Sequence, residues 1–387
     1  MKKLIVPALG YVLLAPIAHA QNSTTLFGIV DTGVTYTSNV GRKSLVAMTA
    51  GNLQGNRWGL MGTEQLGNGM SAIFKVESGF SSTTGALGQG GAMFGRQAWV
   101  GLSDKTYGAL TLGRQYDPLV EYVAPVQGGT SWGSLAAVHP GDYDNMANSY
   151  RLNNSVKYRY ASPSGIAFSV AYAFGNVAGS MSRNRIIAVG GGYKHGPVEL
   201  GVAYLNINDP NYSFYGNNPS SSTTASNITN VVFAGFASAK NEEIIATSGA
   251  LTFGGSTVGL IYTNTRFNRL GYQTGIGNMY GKDSTAMLNN VEVNYRYQVS
   301  PAWTIGAAYD LTYGSSLNGH EGARYHQFNV GTDYKLSVRT DLYLAAVYQH
   351  ADGYDSLNRP AVANLTGTSA SSSANQLLVT TGIRHKF

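Results

Sequence analysis

Side chains capable of covalent chemistry are few in this sequence and poorly grouped for it. Past residue 20 the histidines are His139, His195, His320, His326, His350 and His385, scattered over segments that read as loops and turns. A hydrolytic site needs a nucleophile or an activated water beside a base and its carboxylate. His320 and His326 flank one loop without a matched aspartate pair, and no cysteine is present. No phosphate-cradling glycine loop, zinc spacing or nucleotide motif occurs, so neither a cofactor nor a metal is expected. What remains is fixed charge. The stretch 118–150 carries Glu121, Asp142 and Asp144 among Val120, Val123, Val126, Trp132, Leu135 and Val138, with Gly128, Gly129 and Gly133 to bend it. A connection this long is either functional or disordered. Its apolar residues suit docking on a wall, and its acids suit facing water. The group Asp142-Tyr-Asp144 reads either as pore-lining acids or, equally, as an ordinary polar loop tip that could ligate calcium.

The elements that must position these charges alternate with period two. Val291, Val293, Tyr295 and Tyr297 share one face of a strand while Glu292, Asn294 and Arg296 share the other. Val156, Tyr158 and Tyr160 oppose Ser155, Lys157 and Arg159 in the same way. Short connections occur at 64–69, 104–108, 162–165, 195–197, 254–256, 299–302 and 337–340. Long ones lie near 38–52, 80–93, 117–150, 176–184, 207–240, 267–284, 314–324 and 351–374. Such a rhythm describes a transmembrane antiparallel β-barrel of about sixteen strands, an all-β fold, with 118–150 as its third outer loop, whose apolar residues and glycines fit it to be folded into the lumen. The run of Ser, Thr and Asn around 220–229 makes 207–240 a solvated outer loop. The Gly190–Gly192 run lies in a strand, where it relieves crowding at a close backbone approach.

Residues 1–20 read as a signal peptide: Lys2 and Lys3, an apolar run from Leu4 to Ile17, then Ala18-His19-Ala20 before the cut. The mature chain is then 21–387, exported. Removing two lysines from a formal charge of +6 leaves +4, too little and too dispersed for a nucleic-acid partner. With 26 tyrosines and 49 glycines against 12% charged residues, the composition fits strands whose aromatics gather at two membrane interfaces.

An ordered set of motifs resembles the general diffusion porins of Gram-negative bacteria. It runs TLFGIVDTGV at 25–34, NRWGLMGTEQLGNGM at 56–70, AIFKVE at 72–77, FGRQAWVGL at 94–102, LTLGRQYD at 110–117 and NNSVKY at 153–158. A terminal Phe387 on the face of Leu377, Val379 and Ile383 matches the signature read by the outer-membrane insertion machinery. The resemblance implies a homotrimer in lipid and lipopolysaccharide that passes ions and small hydrophilic solutes by passive diffusion, without catalysis. It implies basic wall residues Arg57, Arg96 and Arg151, with Arg114 just before the inward loop, facing Glu121, Asp142 and Asp144. Asp31, Lys75, Glu77, Lys157 and Arg159 are assigned to the lumen with them. Ile29 departs from members that carry a lysine there.

An anion about 6 Å from one arginine in water gains about 0.7 kcal/mol, which screening over a Debye length of about 8 Å roughly halves. Three arginines then give on the order of 1 kcal/mol, roughly a fivefold preference for anions, less whatever the acids remove. A substrate-specific channel would want a track of lumen aromatics, and only Phe27 and Trp132 are candidates. A hydrolase on a barrel is the remaining alternative, opposed by the dispersed histidines.

Overall fold

A computed structural model describes residues 23–316 and 319–387; the expected signal peptide lies outside them. Among the described residues the strands are, in order, β1 (Ser23–Val40), β2 (Lys43–Ala50), β3 (Arg57–Gly67), β4 (Met70–Gly79), β5 (Gln97–Asp104) and β6 (Gly108–Gln115). After a long connection come β7 (Leu152–Ala161), β8 (Ile166–Ala173), β9 (Ile186–His195), β10 (Val198–Asn208), β11 (Asn241–Phe253) and β12 (Ser256–Asn268). The series ends with β13 (Ala286–Gln298), β14 (Trp303–Gly314), β15 (Arg324–Lys335), β16 (Thr340–Asp352) and β17 (Asn375–Lys386).

Every strand pairs antiparallel with its neighbours, and β1 returns to pair with β17, so the sheet is a closed barrel with no free edge. Closure matters because lipid offers no partner for an unpaired amide. The backbones of Gly28 and Phe387 exchange hydrogen bonds of 2.9 and 3.0 Å at the seam. A side chain at residue 28 would crowd the seam, since its Cβ would stand 2.8 Å from the Arg57 carbonyl oxygen and 2.3 Å from the Phe387 ring.

The inside-out burial excludes a water-soluble sandwich. On β13 the exposed residues are Val293, Tyr295 and Tyr297, whereas Glu292 and Asn294 are buried. Leu260, Val330 and Leu344 likewise point outward from their strands. A continuous apolar belt of this kind is stable against lipid and a hazard in water.

One loop boundary and the burial of another loop differ from the sequence reading. The stretch near 38–52 is no long loop: β1 and β2 form a hairpin through Gly41 and Arg42, both at positive φ (58° and 72°). β2 and β3 then lie end to end along β1, sharing one position, so the barrel has sixteen strand positions. The interruption at 51–56 is held by Asp31, whose carboxylate accepts from the amides of Leu53 (2.7 Å) and Gln54 (2.8 Å) and from the Tyr343 hydroxyl (2.6 Å).

The connection 207–240 is not simply solvated. Phe214, Tyr215, Ile228, Val232, Phe233 and Phe236 are buried together with Tyr143 and Met146 of the earlier connection and with Leu205, Ile244 and Phe267 of the wall. The Ser/Thr-rich tip is exposed, but its flanks are amphipathic. They drive it onto the barrel through apolar burial that composition averaged over the whole loop had masked.

Candidate functional site

The segment between β6 and β7 starts with Asp117, which caps the short helix α1 (Pro118–Tyr122) by accepting from the amides of Leu119 (2.9 Å) and Val120 (3.1 Å). Asparagine 145, near the far end of the same segment, donates to the other Asp117 oxygen at 2.7 Å, closing the segment into one unit. Helix α1 lies on β9 and β10, where a Cβ at Gly190 would stand 2.7 Å from Pro118 and one at Gly201 2.0 Å from the Tyr122 carbonyl. The strand glycines thus serve a close approach, as the sequence suggested.

The segment then packs in turn on β11 and β12, on β14, and on β15. The Trp132 ring covers Gly306, where a Cβ would lie 2.4 Å from it, and touches Gly331. The Gly128 amide donates to Glu292 at 2.7 Å, and Gln327 donates to the Val138 carbonyl at 3.2 Å. The Leu135 amide reaches the Asn52 carbonyl at 2.7 Å. An open cavity is lined by Thr35, Thr37, Thr49, Asn52 and Gly55 on one side and by Ser134, Leu135, Ala147 and Ser149 of the segment on the other.

Beside that cavity the barrel gathers a basic cluster around Glu77. Arg96 Nε donates to Glu77 Oε1 at 2.6 Å, Lys75 Nζ lies 3.0 Å from Oε2, and Arg57 Nη1 lies 3.7 Å from Oε1. Gln97 (2.9 Å) and the Tyr116 hydroxyl (2.8 Å) complete the carboxylate's partners. Arg96 and Arg151 stack over the Tyr116 ring at 5.7 and 5.6 Å. Arg57 also holds the Gly55 carbonyl at 3.0 Å, and Arg151 the Ser149 carbonyl at 2.7 Å, both residues of the cavity wall. Arg57, Lys75, Arg96 and Arg151 against Glu77 give a local excess of three positive charges.

Strand parity handles these residues unevenly. Arg57 sits in β3, where Arg57↔Gly79 and Gly59↔Glu77 put it on the face of Glu77. Arg96 shares sequence parity with the outward Ala98, yet it precedes β5 and is free to turn inward, 8% exposed. Arg151 reaches the cluster although parity cannot be carried to it, because Asn154 at φ 51° breaks the register between β6 and β7.

The remaining expected residues lie elsewhere. Arg114 donates to the Gly95 carbonyl (2.8 Å), to Asn153 and to Asn218 (3.1 Å), so it clamps the 209–240 connection instead of joining Glu77. Glu121 pairs with Lys157 and accepts from Ser169 at 3.0 Å, on the β7–β8 wall. Arg159 shares the inward parity of Lys157 but is exposed. Asp142 and Asp144 do not meet the arginines: they are 2% and 0% exposed. Asp142 accepts from the amides of Ala147 (2.7 Å) and Ser149 (3.2 Å), and burial and the neighbouring Asp144 charge push it up to about 7. Asp144 bonds His139 at 2.6 Å and Thr263 at 2.7 Å. Sequence reasoning had placed Glu77 in the lumen without its pivotal role, and it missed Tyr116 altogether, although both stand inside quoted motifs.

Comparison with known proteins agrees with this architecture. The sequence matches the Gram-negative porin family over residues 7–354. It is 29% identical to an outer membrane porin protein of Bordetella pertussis, covering 90% of this chain and 94% of that one. It is 27% identical to outer membrane porin protein 32 of Delftia acidovorans over the whole of both chains. Among solved structures, the anion-selective porin from Comamonas acidovorans superposes with a TM-score of 0.73 at 20% identity, over 95% of this chain and all of that one. The chain belongs to the Gram-negative porin family, outer-membrane barrels through which solutes diffuse passively.

Proposed function

We propose that this channel prefers small anions weakly, and that segment 118–150 lies in the lumen and brings permeating ions past Arg57, Lys75, Arg96 and Arg151. The observation that carries the reading is the composition of the cluster beside an open cavity: Arg57, Lys75 and Arg96 share the single carboxylate of Glu77, and Arg151 joins them over the Tyr116 ring. One carboxylate cannot neutralise four cations, so the excess field falls on the water-filled side. With three uncompensated charges at about 6 Å, screened, the gain for an anion is on the order of 1 kcal/mol, enough for roughly fivefold selectivity and too little to trap the ion. The acids Asp142 and Asp144 do not reduce this field at close range, because they are sealed against other partners.

The wider reading follows the family. The chain is exported through its signal peptide, inserts by way of its terminal Phe387 and works as a homotrimer in lipid and lipopolysaccharide, as a conduit and not a hydrolase. The solved relative described as an anion-selective porin is consistent with the sign of the preference.

Planar-bilayer recordings of the native oligomer test it. Under a salt gradient the reversal potential is expected to report anion preference, and Arg57→Ala, Arg96→Ala and Arg151→Ala each to lower it by somewhat under twofold. Clear cation preference in the wild type, or no change in any of the three variants, would refute the assignment. A saturable block by one solute would favour a substrate-specific channel.

A further inference from the structure

The segment also meets the barrel wall at a buried cluster apart from the Glu77 site. His139, Asp144, Glu292 and Asp310 are all 0% exposed. Glu292 of β13 and Asp310 of β14 are direct cross-strand partners, so two carboxylates face each other on adjacent strands in the protein interior. Like charges in that position destabilise a sheet, and unpaired buried carboxylates cost far more. Nor are the groups merely adjacent. One donor atom from each of His139, Glu292 and Asp310 lies within 4.8 Å of the others. Among the described residues, His139 Nε2, Glu292 Oε2 and Asp310 Oδ2 have no hydrogen-bond partner.

The histidine is prepared in a particular way. Its Nδ1 lies 2.6 Å from Asp144 Oδ2, which also accepts from the Thr263 hydroxyl at 2.7 Å. A carboxylate can only accept, so Nδ1 carries the proton, and in the neutral ring the lone pair is on Nε2. That nitrogen is aimed at Glu292 Oε2, 3.7 Å away. A carboxylate that orients an imidazole whose other nitrogen is a ligand is the recurring outer shell of histidine metal sites. Glu292 and Asp310 are oriented too: the second Glu292 oxygen accepts from Gly128 and Asn294, both at 2.7 Å, and Asp310 Oδ1 accepts from Asn290 at 2.7 Å.

We propose that His139, Glu292 and Asp310 bind one divalent transition-metal ion of the zinc class, with Asp144 as the residue that positions the imidazole. One imidazole nitrogen and two carboxylate oxygens suit zinc, whereas calcium and magnesium favour shells of six or more oxygens. The ion neutralises the opposed carboxylates and ties the segment, through His139, to β13 and β14.

Because the site is sealed, loading belongs to assembly. Protein refolded with Zn²⁺, then dialysed against a chelator, is expected to retain one zinc per protomer, and protein refolded with Ca²⁺ to retain no calcium. X-ray absorption of the zinc form should fit one imidazole with oxygen neighbours at about 2.0 Å. Glu292→Gln and Asp310→Asn keep an acceptor for their hydrogen bonds and should lose zinc by tenfold or more in affinity. The half-buried pair of His326 with Asp352, 3.8 Å apart, is the control, and His326→Ala should retain the metal. Wild type that refolds without holding zinc, or zinc retained equally by Glu292→Gln and Asp310→Asn, would overturn the site and leave His139 as a simple buried counter-cation. Should both variants fail to refold, the absorption spectrum of the wild type decides alone: a shell without imidazole overturns it.

Discussion

Two of the contacts that segment 117–151 makes with the barrel wall are opposites. At the Glu77 cluster, cations outnumber acids, the groups come from β3, β4, the approach to β5 and the segment's own ends, and Lys75 (23%) and Arg57 (17%) keep some exposure to water while Arg96 and Arg151 are buried behind them. At the His139 cluster, acids outnumber cations and every member is sealed. A charge that keeps a path to water acts at a distance on mobile ions and contributes little to stability. A sealed charge does the reverse, because its partners are fixed and its loss leaves another buried group unpaired. The first contact is therefore suited to selectivity and the second to holding the segment in place. Variants on the two sides should separate these properties.

The largest effect is expected at Trp132, on the holding side. Trp132→Ala removes a ring packed on Gly306 and Gly331, and loss of a buried aromatic costs about 3–5 kcal/mol. The segment should loosen, so single-channel conductance and open-channel noise rise while the sign of ion selectivity stays. A variant whose reversal potential collapses at unchanged conductance would mean that the two contacts are not separable.

A smaller effect, set by pH, is expected at the foot of the segment. Asp117 is pushed up from 3.8 to about 6, chiefly by burial, against the pull of its bonds from Val120 and Asn145. The folded state thus holds this proton more tightly than the unfolded one. Its stabilisation is complete below about pH 4 and is lost as pH rises through about 6, a change on the order of 3 kcal/mol. After correction for intrinsic rates, amides of 118–150 should exchange faster at pH 8 than at pH 4.5, and Asp117→Asn should flatten the difference. Protection that rises with pH would contradict the burial argument.

The contrast also explains what could be read from sequence. Strand faces such as Val293 and Tyr295 against Glu292 and Asn294 were legible, because period two is a local property. Arg57 was legible for the same reason. Parity along the strand pointed inward for Arg151 too, although the register break at Asn154 interrupts it, whereas Arg96 depended on a family motif because it lies outside its strand. Tight turning at Gly41 and Arg42 was obscured because polar residues continue into β2. The His139 cluster was illegible: its ligands come from a loop and two strands far apart in sequence, and only the barrel's closure and the path of the segment bring them together. The acids nearest to His139 in sequence, Asp142 and Asp144, drew attention as lumen charges, yet they serve as a backbone cap and a histidine partner.

The smallest effect should come from Lys75, and it is the cleanest test of the selectivity side. Its ammonium lies 3.0 Å from Glu77 and 4.7 Å from the Phe27 ring. Lys75→Gln removes one unit of positive charge, and Glu77 Oε2 keeps its bond from Gln97 at 2.9 Å, so no buried oxygen is stranded. Stability should change by less than about 1 kcal/mol. An anion about 6 Å away loses about 0.35 kcal/mol after screening, a factor of somewhat under two in the permeability ratio. Raising the salt should shrink that factor further, as the Debye length falls to about 3 Å at 1 M. Lys194→Gln provides the comparison: Lys194 forms an equally close pair with Glu199 at 2.7 Å, but it stands 75% exposed beside a short turn, far from the Glu77 cluster in the sheet order. Equal shifts in reversal potential for the two variants would place the selecting charge in the barrel's overall field and not in the cluster beside the segment.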